Sequence, residues 1–161
     1  MRFEDLEQIY IENAKSVYKY LLCLSHNADI AEELAQETFY QASKTISKFR
    51  GDCKVSVWLC QIAKRLWYKH QEKSKIEVMP IDDCYDLASD ENIENEYAQR
   101  EERMILYRAI HLLEPKAREI MHLRFGDFSF AEIGEIMGES ENWARVNYYR
   151  IKQKIAKLVE G

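Results

Sequence analysis

Apolar residues recur every three or four positions along most of the chain, the spacing that gives a helix one buried stripe. Phe3, Leu6, Ile9, Tyr10, Ala14, Val17, Tyr20, Leu21 and Leu24 form the first such run. Asn27-Ala28-Asp29 then offers capping side chains to a second helix carrying Ile30, Leu34, Thr38, Phe39, Ala42, Ile46 and Phe49 on one face, and Arg50-Gly51-Asp52 ends it. A third run, from about Val55 to Glu72, points Trp58, Leu59, Ile62, Ala63 and Leu66 inward and leaves Lys64, Arg65 and Lys69 for another face. Three amphipathic helices enclose one small core.

Between Lys75 and about Glu94 the periodicity fails. Met79-Pro80-Ile81-Asp82-Asp83 leads into Ser89-Asp90-Glu91-Asn92, an acidic stretch with no sustained apolar stripe, which reads as a linker that lets its flanking units move relative to one another. Helicity resumes near Ile93 and runs to Leu113, with Tyr97, Met104, Ile105, Tyr107 and Leu112 as expected buried positions, until Glu114-Pro115 breaks and restarts it. Pro115 to Phe125 is a helix, Gly126-Asp127-Phe128-Ser129 a turn, and Ser129 with Glu132 a capping box for a short helix through Met137. Gly138 stops that helix, and a final one spans about Glu141 to Leu158. Ala131, Ile133, Ile136, Met137, Trp143, Val146, Ile151 and Ile155 form the expected apolar side of this helix-turn-helix pattern. The fold class is therefore all-α, two small helical domains at 1-75 and 95-161 joined by an acidic linker at 76-94.

Composition agrees with long, rarely broken helices: 47% of the 161 residues are apolar, and there are only five Gly and two Pro. No apolar run approaches the roughly 20 residues of a membrane span, and the start lacks a signal-peptide stretch, so a cytosolic protein is expected. The four cysteines form no Cys-x-x-Cys pair and read as reduced thiols. Charge changes the picture more. The net charge of -5 hides a strong asymmetry: residues 44-75 hold nine Lys and Arg against two Asp and Glu, residues 76-102 one against ten, and residues 143-157 five against none. Two basic blocks stand apart, each able to meet phosphate or to serve only as a solvated face.

The candidate chemistry follows from those blocks. Trp67 and Tyr68 sit among Lys64, Arg65 and Lys69, the mixture of cations and aromatics that holds single-stranded DNA, whereas Trp58 lies at core spacing and reads as structural. On the last helix Arg145, Asn147, Arg150, Lys152 and Lys154 are available to a major groove. Asp29, Glu33, Gln36 and Glu37 share the polar side of the second helix and suit a basic partner surface better than acid-base catalysis, which needs a pocket and a second positioned group. The histidines are dispersed, and no zinc spacing, phosphate-cradling glycine loop or nucleophile elbow occurs, so no catalytic residue, metal or cofactor is expected. Cys53, beside Lys54, is the one thiol whose neighbour could lower its pKa. At this point a stand-alone helix-turn-helix regulator and a helical adaptor remain open beside a more specific reading.

That reading comes from the strings themselves. Ala31-Glu32-Glu33-Leu34-Ala35-Gln36-Glu37-Thr38-Phe39, then Phe49-Arg50-Gly51, then Trp58-Leu59-Cys60-Gln61-Ile62-Ala63 resemble the N-terminal signature of a bacterial extracytoplasmic-function sigma factor. Leu113-Glu114-Pro115-Lys116-Ala117-Arg118-Glu119, then Phe130 to Gly138, then Ser140-Glu141-Asn142-Trp143-Ala144-Arg145-Val146 resemble its C-terminal signature. The resemblance covers nearly the whole chain. It departs at Arg65, where an Asn often follows the Ile-Ala pair, at Trp143, in place of a small hydroxylated residue, and at Leu113-Glu114-Pro115, which lacks one of the usual prolines.

The resemblance implies a cytoplasmic initiation factor, with no enzymatic activity of its own, that binds core RNA polymerase, at its clamp helices through Asp29, Glu33, Gln36 and Glu37 and at its flap through the segment around Pro115 and Arg118. It implies minus-ten promoter reading and strand holding by Arg50, Gly51, Asp52, Lys54, Ser56, Lys64, Arg65 and Lys69, with a flipped base received by the loop from Arg50 to Ser56. Minus-thirty-five reading falls to Arg145, Asn147, Arg150 and Lys152, with Lys154 and Lys157 on phosphates. It further implies promoter DNA as ligand and an anti-sigma factor, often membrane-bound, as regulator.

Overall fold

A computed structural model describes residues 3–74 and 93–160, and every element among them is helical: α1 Phe3–Ser25, α2 Ala28–Thr45 followed by a 3-10 turn Ile46–Lys48, α3 Val55–Ser74, α4 Ile93–His111, α5 Pro115–Phe125, α6 Phe130–Met137 and α7 Glu141–Glu160. The stretch expected as linker, residues 76-94, lies outside the described residues up to Ile93. The helix boundaries follow local chemistry. The Asn27 side chain accepts the Ile30 N–H at 3.1 Å and caps α2, Pro115 opens α5 at a position where its missing N–H costs nothing, and Ser129 and Glu132 close the expected capping box on α6.

The N-terminal core is Val17, Leu21, Ala31, Leu34, Leu59, Ile62, Ala63 and Trp67, gathered from α1, α2 and α3. Each large apolar side chain buried here contributes roughly 1.5–3 kcal/mol. Thr38 is buried as well, its hydroxyl donating to the Leu34 carbonyl at 2.7 Å, so α2 carries a polar residue inside without an orphaned group. The C-terminal core gathers Tyr107, Ile110, Leu113, Ile120, Leu123, Phe128, Ile133, Ala144, Ile151 and Ile155.

Several expected positions move. Trp67 is only 7% exposed and belongs to the core, its ring stacked on His70, while Trp58 is half-exposed. Leu112 is 76% exposed because α4 ends at His111 and the chain turns, handing the buried place to Leu113. Ile105 also faces out, the inner side of α4 being taken by Tyr107, Ala109 and Ile110. Val146 is 37% exposed: the small Ala144 lies on the buried side of α7, and Val146 is roughly 200° round the helix from it.

The larger difference concerns the two units. The sequence reading set no contact between them, yet α1 and α3 pack against α5 and α6, and the C-terminal core incorporates Tyr20 from α1 and Cys60 from α3. Gly126 approaches α1 so closely that a Cβ there would stand 3.1 Å from the Ser16 carbonyl oxygen.

Candidate nucleic-acid interface

The helix-turn-helix is built around two glycines. Gly138 turns the chain after α6 at φ 73°, and at Gly134 a Cβ would lie 2.6 Å from the Ser140 carbonyl oxygen, so no larger residue lets α7 leave the turn along this path. Ser140 then accepts the Trp143 N–H at 3.0 Å, starting α7. Arg145, Arg150, Lys152 and Lys154 are all exposed. Arg145 is paired with Glu141 at 3.1 Å and lies over the Phe130 ring, while the Lys152 ammonium stands 5.6 Å from the Tyr148 ring. Asn147 differs from these, for it is half-buried, donates to the Trp143 carbonyl at 2.8 Å and lines a groove of about 170 Å³ with Glu114, Ala117, Arg150, Ile151 and Lys154. The face that carries Arg145 outward is completed by Asn142 and Tyr149, which the sequence reading did not assign, and by Val146, which it had placed on the buried side. The three- and four-residue spacing of Asn142 and Tyr149 from Arg145 was the available signal.

The second basic face lies on α3 and the loop before it. Thr45, Lys48, Phe49, Arg50, Asp52, Cys53 and Trp58 line a cavity of about 250 Å³, with the Phe49 and Trp58 rings 4.8 Å apart. Trp58, read as structural from its spacing, is thus also a wall of this pocket. Arg50, Gly51, Asp52 and Lys54 are exposed around it and Ser56 is half-buried. The Cys53 thiol is pushed up, by its partial burial and then by the Glu135 and Asp52 carboxylates, opposite to what Lys54 alone suggested. Further along α3, Lys64, Arg65, Gln61 and Tyr68 line a shallow depression, with Lys69 exposed beyond it. With Trp67 buried, Tyr68, 53% exposed, is the aromatic this face offers.

On α2, Asp29, Glu33 and Gln36 are exposed, and Glu37 is half-buried, accepting from Gln41 at 3.0 Å. Gln36 also lines a groove of about 340 Å³ between α1 and α2 whose walls include Tyr10, Tyr18, Glu32 and Phe39. Three of the four dispersed histidines turn out to meet. His26, at the α1–α2 junction, lies 6.1 Å from His111 ring to ring, and both act electrostatically on His122. Burial first, then His26, Arg118 and His111, depress the His122 imidazole to about 4, and its Nδ1 is buried without a hydrogen-bond partner. Among the described residues no group of His, Cys, Asp or Glu is arranged to hold a metal, and no helix is long and apolar enough to cross a membrane.

A helix-turn-helix with a cationic α7, joined to a second helical unit with a basic face and an aromatic-walled pocket, is of the class of helix-turn-helix proteins, here with two separate basic faces. Comparison with known proteins narrows the class. The family description Sigma-70 region 2 matches residues 9–75, and Sigma-70, region 4 matches residues 103–155. The chain is 27% identical to the ECF RNA polymerase sigma factor SigM of Bacillus subtilis, covering 98% of this chain and 95% of that one. It is 23% identical to the RNA polymerase sigma factor YlaC of the same organism, covering 96% and 91%. A solved structure of the sigma factor RpoE in complex with the anti-sigma factor NepR from Bartonella quintana shares its fold, with a TM-score of 0.64, 18% identity and 98% of each chain covered. This chain belongs to the sigma-70 family of RNA polymerase sigma factors, in its extracytoplasmic-function class. Members of the family are transcription initiation factors.

Proposed function

We propose that this sigma factor binds core RNA polymerase through the α2 surface of Asp29, Glu33, Gln36 and Glu37, and the flap through the start of α5. The unit at 1-75 reads and opens the minus-ten element, and the unit at 95-161 reads the minus-thirty-five element. The observation that carries this is the pocket lined by Phe49, Trp58, Lys48 and Arg50: the two rings, packed 4.8 Å apart, make one aromatic wall on which an unstacked base can rest while cations hold its phosphates. On α7, Arg145 and Arg150 supply the donors that pair with guanine edges, and Lys152 and Lys154 meet phosphate. The factor contributes recognition and strand opening while polymerase supplies the chemistry, so it has no catalytic residue or cofactor of its own. It acts where polymerase acts, in the bacterial cytoplasm, and an anti-sigma factor, in some cases at the inner membrane face, withholds it; the relative named in complex with NepR supports this regulation.

In vitro transcription with core polymerase on sheared genomic DNA tests the reading. Discrete new start sites sharing two spaced upstream elements are expected, and protection of an operator by the isolated protein without polymerase would instead establish a stand-alone regulator. That rival leaves the match over residues 9–75 without a role.

A further inference from the structure

Charge alone gives α7 its reading role to cations and to Asn147, yet several of these side chains lie off the line that a groove would meet. With about 100° between successive residues, the side of α7 opposite the buried Ala144, Ile151 and Ile155 runs through Asn142, Val146, Tyr149 and Gln153, all of them exposed. Arg145 and Arg150 flank this line, about 140° apart. The Arg145 guanidinium is held to one side by Glu141 at 3.1 Å and lies over the Phe130 ring at 5.4 Å. Lys152 stands 5.6 Å from the Tyr148 ring and 5.9 Å from that of Tyr149, and Asn147 donates to the Trp143 carbonyl.

Two apolar side chains therefore hold the middle of a cationic face, Val146 at 37% exposed and Tyr149 at 53%. Neither is part of the core. Tyr149 is braced from behind: its ring meets Tyr148 edge-on at 5.5 Å and lies 6.2 Å from Phe130, over which Arg124 and Arg145 also sit. A ring held in this way loses little further freedom on meeting a partner, and a valine is stiff from the outset. An apolar pair between two arginines has a counterpart in the major groove, where the thymine methyl is the apolar group and guanine edges and phosphates receive the guanidinium groups. Val146 and Tyr149 stand about 4.5 Å apart along the helix axis, close to the roughly 3.4 Å between neighbouring bases of one strand. We propose that Val146 and Tyr149 read thymine methyl groups at neighbouring positions of the minus-thirty-five element, so that specificity there comes from an apolar strip as well as from the arginines beside it. A face that met only phosphate would gain nothing from either side chain. The inference rests on the assignment of α7 to that element.

The test takes a promoter obtained by in vitro transcription on sheared genomic DNA and replaces the thymines of its upstream element one at a time by uracil, which removes the methyl group alone. Polymerase carrying the wild-type factor should initiate about fourfold less often at each contacted position, the worth of one buried methyl-sized group. Val146→Ala should use the thymine and uracil templates equally at one of these positions and Tyr149→Ala at the other, while Tyr149→Phe keeps the wild-type response. Both side chains are exposed, so far-ultraviolet circular dichroism should be the same for all three variants and the wild type. Uracil tolerated by the wild type at every position overturns the proposal, as does an upstream element without an A·T pair. A uracil response that survives in both alanine variants overturns it too, and if those variants bind core polymerase less well the strip is a protein contact instead. Failure of the underlying assignment is read separately, as full promoter use by polymerase carrying Arg145→Ala with Arg150→Ala; the proposal fails by itself when that double variant is inactive and uracil still makes no difference.

Discussion

The two basic faces are built from similar residues and kept in opposite states. On α7, Arg145, Arg150, Lys152 and Lys154 point into solvent, and their partners are local: Glu141 one turn away and the rings of Phe130 and Tyr148. On α3, Lys64 and Ser56 reach across to carboxylates of the other unit. A solvated cation is ready for phosphate at once, whereas a cation already paired must exchange one anion for another. A chain of net charge -5 can thus hold one face open and one closed, and the local pattern matters more than the total.

The largest effect should come from the open face. Arg145→Ala combined with Arg150→Ala removes two donors of the kind that each supply about 1–3 kcal/mol of base discrimination. Promoter-specific transcription is expected to fall by roughly a hundredfold or more in a run-off assay with core polymerase. Retained activity would show that α7 does not read the promoter and would remove the contrast between the faces altogether.

A smaller and more telling effect separates Lys64→Ala from Lys152→Ala. Both should lower transcription, by about tenfold or less for loss of one phosphate contact. Only Lys64→Ala should also loosen the free protein, detected as faster amide hydrogen exchange along α5, because only Lys64 is tied to Glu119. Equal exchange in the two variants would make the faces equivalent.

Most of the fold was legible in the sequence because capping and periodicity are local. Asn27, Pro115, Ser129 with Glu132, and Gly138 each fix a helix end through neighbours within a few residues, and each appears where the pattern put it. The errors sit where one helix meets another. Trp67 looked like a base-stacking residue because its sequence neighbours are cationic, yet those cations lie on other faces of α3 and the ring is in the core. Val146 looked buried because it is apolar, but Ala144 is the residue that lets α7 approach its neighbours. The union of His26, His111 and His122, and the carboxylates over α3, join residues far apart in the chain, and no local pattern announces them. The individual site residues were legible as types and faces; which of them would be covered was not.

Acid should act on the packed side of the comparison. His122 is held at about 4 by burial and by His26, Arg118 and His111, which face it from the α1–α2 junction, its own helix and the end of α4. His26 is lowered in the same direction, by burial and then His111. With the folded value below the ordinary 6.5, the unfolded chain binds more protons between those limits. The contribution is therefore complete above about pH 6.5 and is lost as pH falls toward about 4. Thermal unfolding should occur several degrees lower at pH 5 than at pH 7.5. His122→Leu should flatten that dependence, and an unchanged slope in the variant would take His122 out of the account.

The smallest effect is expected at the margin of the contact between the units. Lys19 and Asp127 are 3.0 Å apart, but their side chains are 29% and 67% exposed, and solvent screening leaves such a pair worth about 0–1 kcal/mol. A double-mutant cycle on Lys19→Ala and Asp127→Ala should give a coupling near the bottom of that range, vanishing in high salt. The same cycle on Tyr20→Phe and Glu119→Gln should give more and keep it in salt, because the Tyr20 hydroxyl is buried and its bond to Glu119 is short. If the marginal pair proved the stronger, the contact would be a loose electrostatic encounter, and α3 would be as open to DNA as α7. If the buried bond dominates, the contact is held by packing and directional hydrogen bonding, which salt cannot dissolve.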